Sequence, residues 1–84
     1  MKTVYSPAEI AIGDAFTIPA EDEMLSGPKC LWIRRSENSW NVYDYDRKES
    51  VDFGGEGEGD PEQLFFGVKE FHILDSSDEQ QLEP

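Results

Sequence analysis

Cys30 and His72, the only cysteine and the only histidine, are the two side chains that could form a nucleophile and its general base. Such a pair needs an orienting third group and donors for an oxyanion. Each residue instead lies inside an alternating, strand-like run, so a buried packing thiol and a strand-face imidazole are expected. One Cys and one His also cannot fill a four-coordinate zinc site. Nineteen acids make carboxylate pairs available anywhere, so their presence alone does not indicate acid–base catalysis. The chain is read as a non-enzyme, without metal or cofactor.

Two further segments have the outline of ligand loops. From Asp44 an EF-hand reading would place Lys48 at the fifth position, Glu49 where glycine is needed and Gly55 at the bidentate glutamate. Calcium binding is therefore excluded, and Asp44 to Glu49 reads as a polar hairpin end. Residues 54–60 hold four glycines, but Glu56, Glu58 and Asp60 stand where a phosphate loop needs Lys and Ser or Thr. That loop would repel a nucleotide.

What remains is the charge. The net charge is −12, and residues 49–84 carry eleven acids against Lys69 alone, while residues 1–48 carry eight acids and six bases. Such a field repels nucleic acid and anionic lipid and draws in basic protein surfaces. Glu56, Glu58, Asp60 and Glu62 recur at every second position, as do Glu21 and Glu23, and Asp44 and Asp46. On extended backbone, side chains two apart lie about 6.6 Å apart on one face, the general scale of successive phosphates. Glu49 and Asp52 extend the same acidic surface, and the alternative is a solvated face that protects a sheet edge. Trp40, Tyr43 and Tyr45 beside these acids are candidate anchors for a partner, since a sheet buried on one face leaves some of its aromatics outside.

These residues must be positioned by a small fold. Eighty-four residues suffice for one hydrophobic core. Ser6-Pro7-Ala8-Glu9 has capping-box spacing, yet Ile10, Ile12, Phe16 and Ile18 alternate across Gly13-Asp14, which favours a strand pair. Glu21 to Pro28 reads as an acidic loop. Residues 30–35 and 40–46 form a hairpin about Ser36 to Ser39, residues 50–53 add a third strand, and the glycine-rich loop is expected to be mobile or ordered on binding. Asp60-Pro61 caps one helical turn that ends at Gly67, and Val68 to Leu74 is the last strand. This predicts a mainly β fold: a small antiparallel sheet or SH3-like open β-barrel of about five strands, with one short helical turn before the last. Residues 1–75 form the single domain and 76–84 a disordered acidic tail. The expected core is Ile10, Ile12, Phe16, Ile18, Leu31, Ile33, Val42, Val51, Phe53, Leu64, Phe65, Phe71 and Ile73.

Val42-Tyr43-Asp44-Tyr45-Asp46 resembles the aromatic-acidic stretch of SH3 domains that bind proline-rich peptides. It lies here in the middle of the chain, and no tryptophan pair follows it, so the ligand site of that family is not carried over. In size, charge and lack of catalytic residues the chain is similar in kind to the acidic inhibitors of bacteriophages, such as anti-CRISPR, anti-restriction and glycosylase-inhibitor proteins. That similarity implies a phosphate-mimicking protein that occludes the basic groove of a nucleic-acid-handling enzyme. An adaptor that binds a protein or peptide through an aromatic face is the alternative. The lone cysteine and the polar N-terminus suggest a cytoplasmic protein, monomeric or homodimeric, with no direct nucleic-acid or membrane binding.

Overall fold

The computed structural model describes residues 2–19, 25–55 and 57–74. The expected acidic loop at 21–24, Glu56 and the expected tail at 76–84 lie outside the described residues. One antiparallel sheet holds six strands: β1 (Lys2–Val4), β2 (Ala15–Thr17), β3 (Cys30–Ser36), β4 (Ser39–Asp44), β5 (Glu49–Gly54) and β6 (Phe71–Leu74). Their spatial order is β1-β6-β2-β3-β4-β5, so the sheet is open, with β1 and β5 at its edges. Among the described residues a single 3-10 turn (Pro7–Glu9) and a short helix α1 (Pro61–Leu64) accompany the sheet.

The mainly β reading holds, and the sixth strand is β1, which a three-residue Lys-Thr-Val run does not announce. It exists because Val4 lies opposite Phe71 of β6 and is buried there. The strand expected through Ile10 and Ile12 is corrected. Ser6 Oγ accepts from the Ala8 amide at 3.3 Å, and the Glu9 carboxylate accepts from the Tyr5 amide at 3.0 Å, so local capping makes a 3-10 turn instead. Ile10 is then buried, while Ile12 stands 63% exposed at the Gly13-Asp14 turn.

The phase of β3 is also corrected. Cys30, Trp32 and Arg34 face the core, and Leu31 and Ile33, both expected inside, lie half-buried on the other face. Either phase of Cys-Leu-Trp-Ile buries apolar surface, but only one brings the large indole of Trp32 inside with a partner for its N–H, the carbonyl of Leu25 at 2.9 Å. Trp32 stacks on Phe16 and Phe53 at 5.9 and 5.7 Å between ring centroids, and Phe65 lies 5.1 Å from Trp32 and 4.9 Å from Trp40. The core is therefore an aromatic cluster on one face of the sheet, covered by Phe65 at the end of α1.

Arg34 is the charged member of that core face. It has no carboxylate partner among the described residues. Its Nη1 donates to the Ile10 carbonyl at 2.7 Å and to that of Pro7 at 3.4 Å, Nη2 to Glu37 O at 2.8 Å, and Nε to Ser36 O at 3.2 Å. The guanidinium carbon lies 4.7 Å from the Trp40 ring centroid. One side chain thus ties the 3-10 turn to the β3–β4 hairpin.

Candidate binding surface

Strand β5 organises the surface. It pairs with β4 in the register Asp44 to Glu49, Val42 to Val51, Asn41 to Asp52 and Trp40 to Phe53. Alternation then sends Val51 and Phe53 to the core side and Ser50 and Asp52 to the outer side. Asp44, Asp46 and Glu49 gather at one end of the strand, and Glu58, Asp60 and Glu62 follow its other end, with Asp52 between.

Several of these acids have local work. Asp44 Oδ1 accepts from the amides of Asp46 and Arg47 at 2.9 and 3.2 Å and so builds the turn between β4 and β5. Asp46 pairs with Lys29 at 2.9 Å, and that hydrogen bond holds the exposed ammonium above its ordinary range. Asp60 caps α1 by accepting from the Glu62 amide at 3.2 Å. Asp52 accepts from Asn41 Nδ2 at 2.7 Å. Glu49, Asp52, Glu58 and Glu62 are exposed and take part in no ion pair among the described residues.

The extended carboxylate row expected at positions 56 to 62 is corrected over its described residues, 57 to 62. Gly55 and Gly57 have φ of +85° and +91°, Asp60 is a helix cap, and Glu62 lies on α1. The loop backbone turns at Gly55 and at Gly57, where glycine enters the left-handed region without strain. Its ends are fixed to the sheet. The Gly55 amide donates to Asn38 O at 3.2 Å, the Gly59 amide to Gly55 O at 2.9 Å, and Trp40 Nε1 to Gly59 O at 2.9 Å.

Trp40 is likewise corrected as a surface anchor: it is fully buried, at 0% exposure, beneath the loop it holds. An indole with a buried carbonyl to bond gains more inside than on the outer face. Tyr43 and Tyr45 remain at the surface, half-buried and in edge-to-face contact at 4.7 Å. Cys30 and His72 do not meet, since Cys30 faces the core and His72 pairs with Thr3 and Thr17 on the opposite face. Burial, reinforced by Asp44 and Asp46, pushes the Cys30 thiol above its ordinary value and keeps it protonated. His72 Nε2 instead lies 2.6 Å from Glu70 Oε2.

Sequence reasoning missed an apolar cavity of about 200 Å³ between β5 and α1. Trp32 and Phe53 form its sheet wall, Leu64 of α1 with Phe65 and Val68 just beyond it the opposite wall, and Ile18 and Leu25 close it. It also missed Phe66, which is 85% exposed. Leu64-Phe65-Phe66 could have signalled it, because a four-residue helix cannot turn three successive side chains toward one core. Comparisons with protein-family models, curated proteins and solved structures give no match to this chain.

Proposed function

We propose that this chain is a non-catalytic binding protein that sets the acidic edge formed by β5 and its flanking turns against a basic protein surface. The observation that carries the reading is the set of exposed carboxylates at Glu49, Asp52, Glu58 and Glu62, none of them in an ion pair among the described residues, along β5 and the turn and helix that follow it. Of the nearby bases, Arg34 is buried, Lys29 is paired with Asp46 and Arg47 reaches Asp44 at 3.8 Å, which leaves Lys48, exposed beside Glu49, against this set of acids. The partner in this reading is a nucleic-acid-handling enzyme, whose phosphate-binding groove is a strongly basic concavity that such an edge would fit. In kind this is how acidic phage inhibitors block host defence or repair enzymes. A cytoplasmic setting suits the buried, unpaired thiol of Cys30. Mimicry in this form uses two acidic clusters at the ends of a strand in place of a regular row.

The test is capture from a bacterial lysate at low and high salt, followed by competition of the captured enzyme with duplex DNA. The variant combines Glu49→Gln, Asp52→Asn, Glu58→Gln and Glu62→Gln, and leaves the capping groups Asp44 and Asp60 intact. Retention by wild type, release by salt or DNA, and loss in the variant support the reading. A partner retained equally by wild type and variant at both salt concentrations sinks it.

A second reading, capture of a peptide by an adaptor, is favoured by the cavity beside β5. Its surface anchors would be Tyr43 and Tyr45, without Trp40.

A further inference from the structure

The sheet ends one strand before its core face is covered. Across the β4–β5 ladder, Trp40 and Val42 are both at 0% exposure, whereas their partners Phe53 and Val51 are only half-buried. The cavity of about 200 Å³ opens at this point, with Phe53 of the edge strand as one wall and Leu64 and Phe65 opposite. It is the size of one large apolar side chain or a benzene-sized group, smaller than most small-molecule sites. Six-residue β5 has no neighbour on its outer side among the described residues, so its outward amides and carbonyls form a template for another strand. The exposed charged side chains of β5 are both acidic: Asp52 points outward where Phe53 points inward, and Glu49 stands at the start of the strand on the same side as Val51 and Phe53.

We infer that β5 receives an extended segment of the partner as a seventh strand, with a basic side chain beside Asp52 on the outer face and one apolar side chain in the cavity. This rests on the reading that the partner presents a basic surface. An added strand alternates in the same pleat as β5, so its inward side chain meets the gap between Phe53 and Leu64 while its neighbours in sequence lie on the outer face beside Asp52. Backbone hydrogen bonds supply affinity, and the cavity and the acids supply selectivity. A second copy of this chain is the poorer occupant, since pairing β5 with itself sets side by side two strands that each carry Glu49 and Asp52 and no base, in a chain of net charge −12.

The probes are two heptapeptides of alternating Lys and Leu, one with a natural backbone and one N-methylated at every internal residue. They share charge and side chains and differ in the ability to donate strand hydrogen bonds. Binding to the full chain is followed by titration, with amide exchange and chemical shifts read by NMR. The natural peptide is expected to bind, to slow exchange along β5 and to shift Phe53 and Leu64, with affinity falling about tenfold on N-methylation. The exposed charge-reversal variant Asp52→Lys weakens the natural peptide without unfolding the protein. Equal binding of both peptides with no β5 protection overturns the edge docking and leaves the basic-surface reading intact. Failure of both peptides to bind at low salt overturns the two together. Protection of β5 in the peptide-free protein, with a dimeric mass in solution, overturns the inference in favour of a second copy.

Discussion

Trp40 Nε1 donates a 2.9 Å hydrogen bond to the carbonyl of Gly59, and both residues are buried. The indole that sequence reasoning places at the surface is thus the fastening that returns the glycine-rich loop to the core. Trp40→Phe keeps an aromatic ring beside Phe65 but leaves the Gly59 carbonyl without its donor. A loss of about 2 kcal/mol in urea unfolding is expected, with faster amide exchange in residues 57–60 than elsewhere. An unchanged loop would show that the bond does not hold it.

Gly59 and Gly57 separate sterics from backbone conformation. A Cβ at Gly59 would lie 1.8 Å from Asn38 O, a backbone atom that cannot swing away. A Cβ at Gly57 meets nothing within 4 Å, but φ there is +91°. Gly59→Ala is expected to destabilise by more than about 2 kcal/mol through overpacking, and Gly57→Ala by about 1 kcal/mol through backbone strain. Thermal unfolding of the two variants ranks them, and the reverse order would refute the close approach at Asn38.

Arg34 satisfies four carbonyls with a planar fork that lysine cannot reproduce. Arg34→Lys is expected to cost about 2–4 kcal/mol, because an ammonium leaves buried carbonyls unpaired. Arg35→Lys, one residue away and exposed, is expected to cost less than about 0.5 kcal/mol. Paired chemical denaturation curves compare the two directly.

Cys30 gives a pH dependence of definite sign. Its folded-state thiol titrates above the ordinary value of 9.0, chiefly through burial and then through Asp44 and Asp46. The folded protein therefore holds this proton more tightly than the unfolded chain does. The contribution is complete below pH 9.0 and is lost as pH rises above it toward the folded-state value. Cys30→Ala should flatten that alkaline fall. Alkylation at neutral pH should be slow in the folded protein and fast in urea.

The side chains of β3 decide which face of the sheet is the core. Trp32→Ala is expected to cost about 3–5 kcal/mol, since it removes the ring stacked between Phe16 and Phe53. Ile33→Val on the half-buried opposite face should cost about 1 kcal/mol or less. Comparable losses at both positions would mean that the outer face is also packed.

Sequence alone determined what depends on neighbours a few residues apart. Strands in the β-rich runs at 30–35, 40–46 (as far as Asp44) and 50–53, the Gly13-Asp14 turn, the Asx turn at Asp44, and the Asp60-Pro61 helix start are all present, because caps and turns are closed by backbone groups within one turn of chain. The concentration of acid around β5 was legible for the same reason, as composition needs no fold. Tertiary structure alone decided which face each strand buries. Cys30-Leu31-Trp32-Ile33 is apolar in both phases, so burial of Trp32 had to be selected by Phe16, Phe53 and the Leu25 carbonyl from elsewhere in the chain. The same holds for β1, which needs Phe71 from the last strand, and for Arg34, whose acceptors come from two separate loops. It holds too for the turn that breaks the carboxylate row, where Gly59 is pressed against Asn38. Local hydrogen-bonding chemistry is written in adjacent residues, but burial is a competition among distant surfaces, and only the folded chain brings those surfaces together.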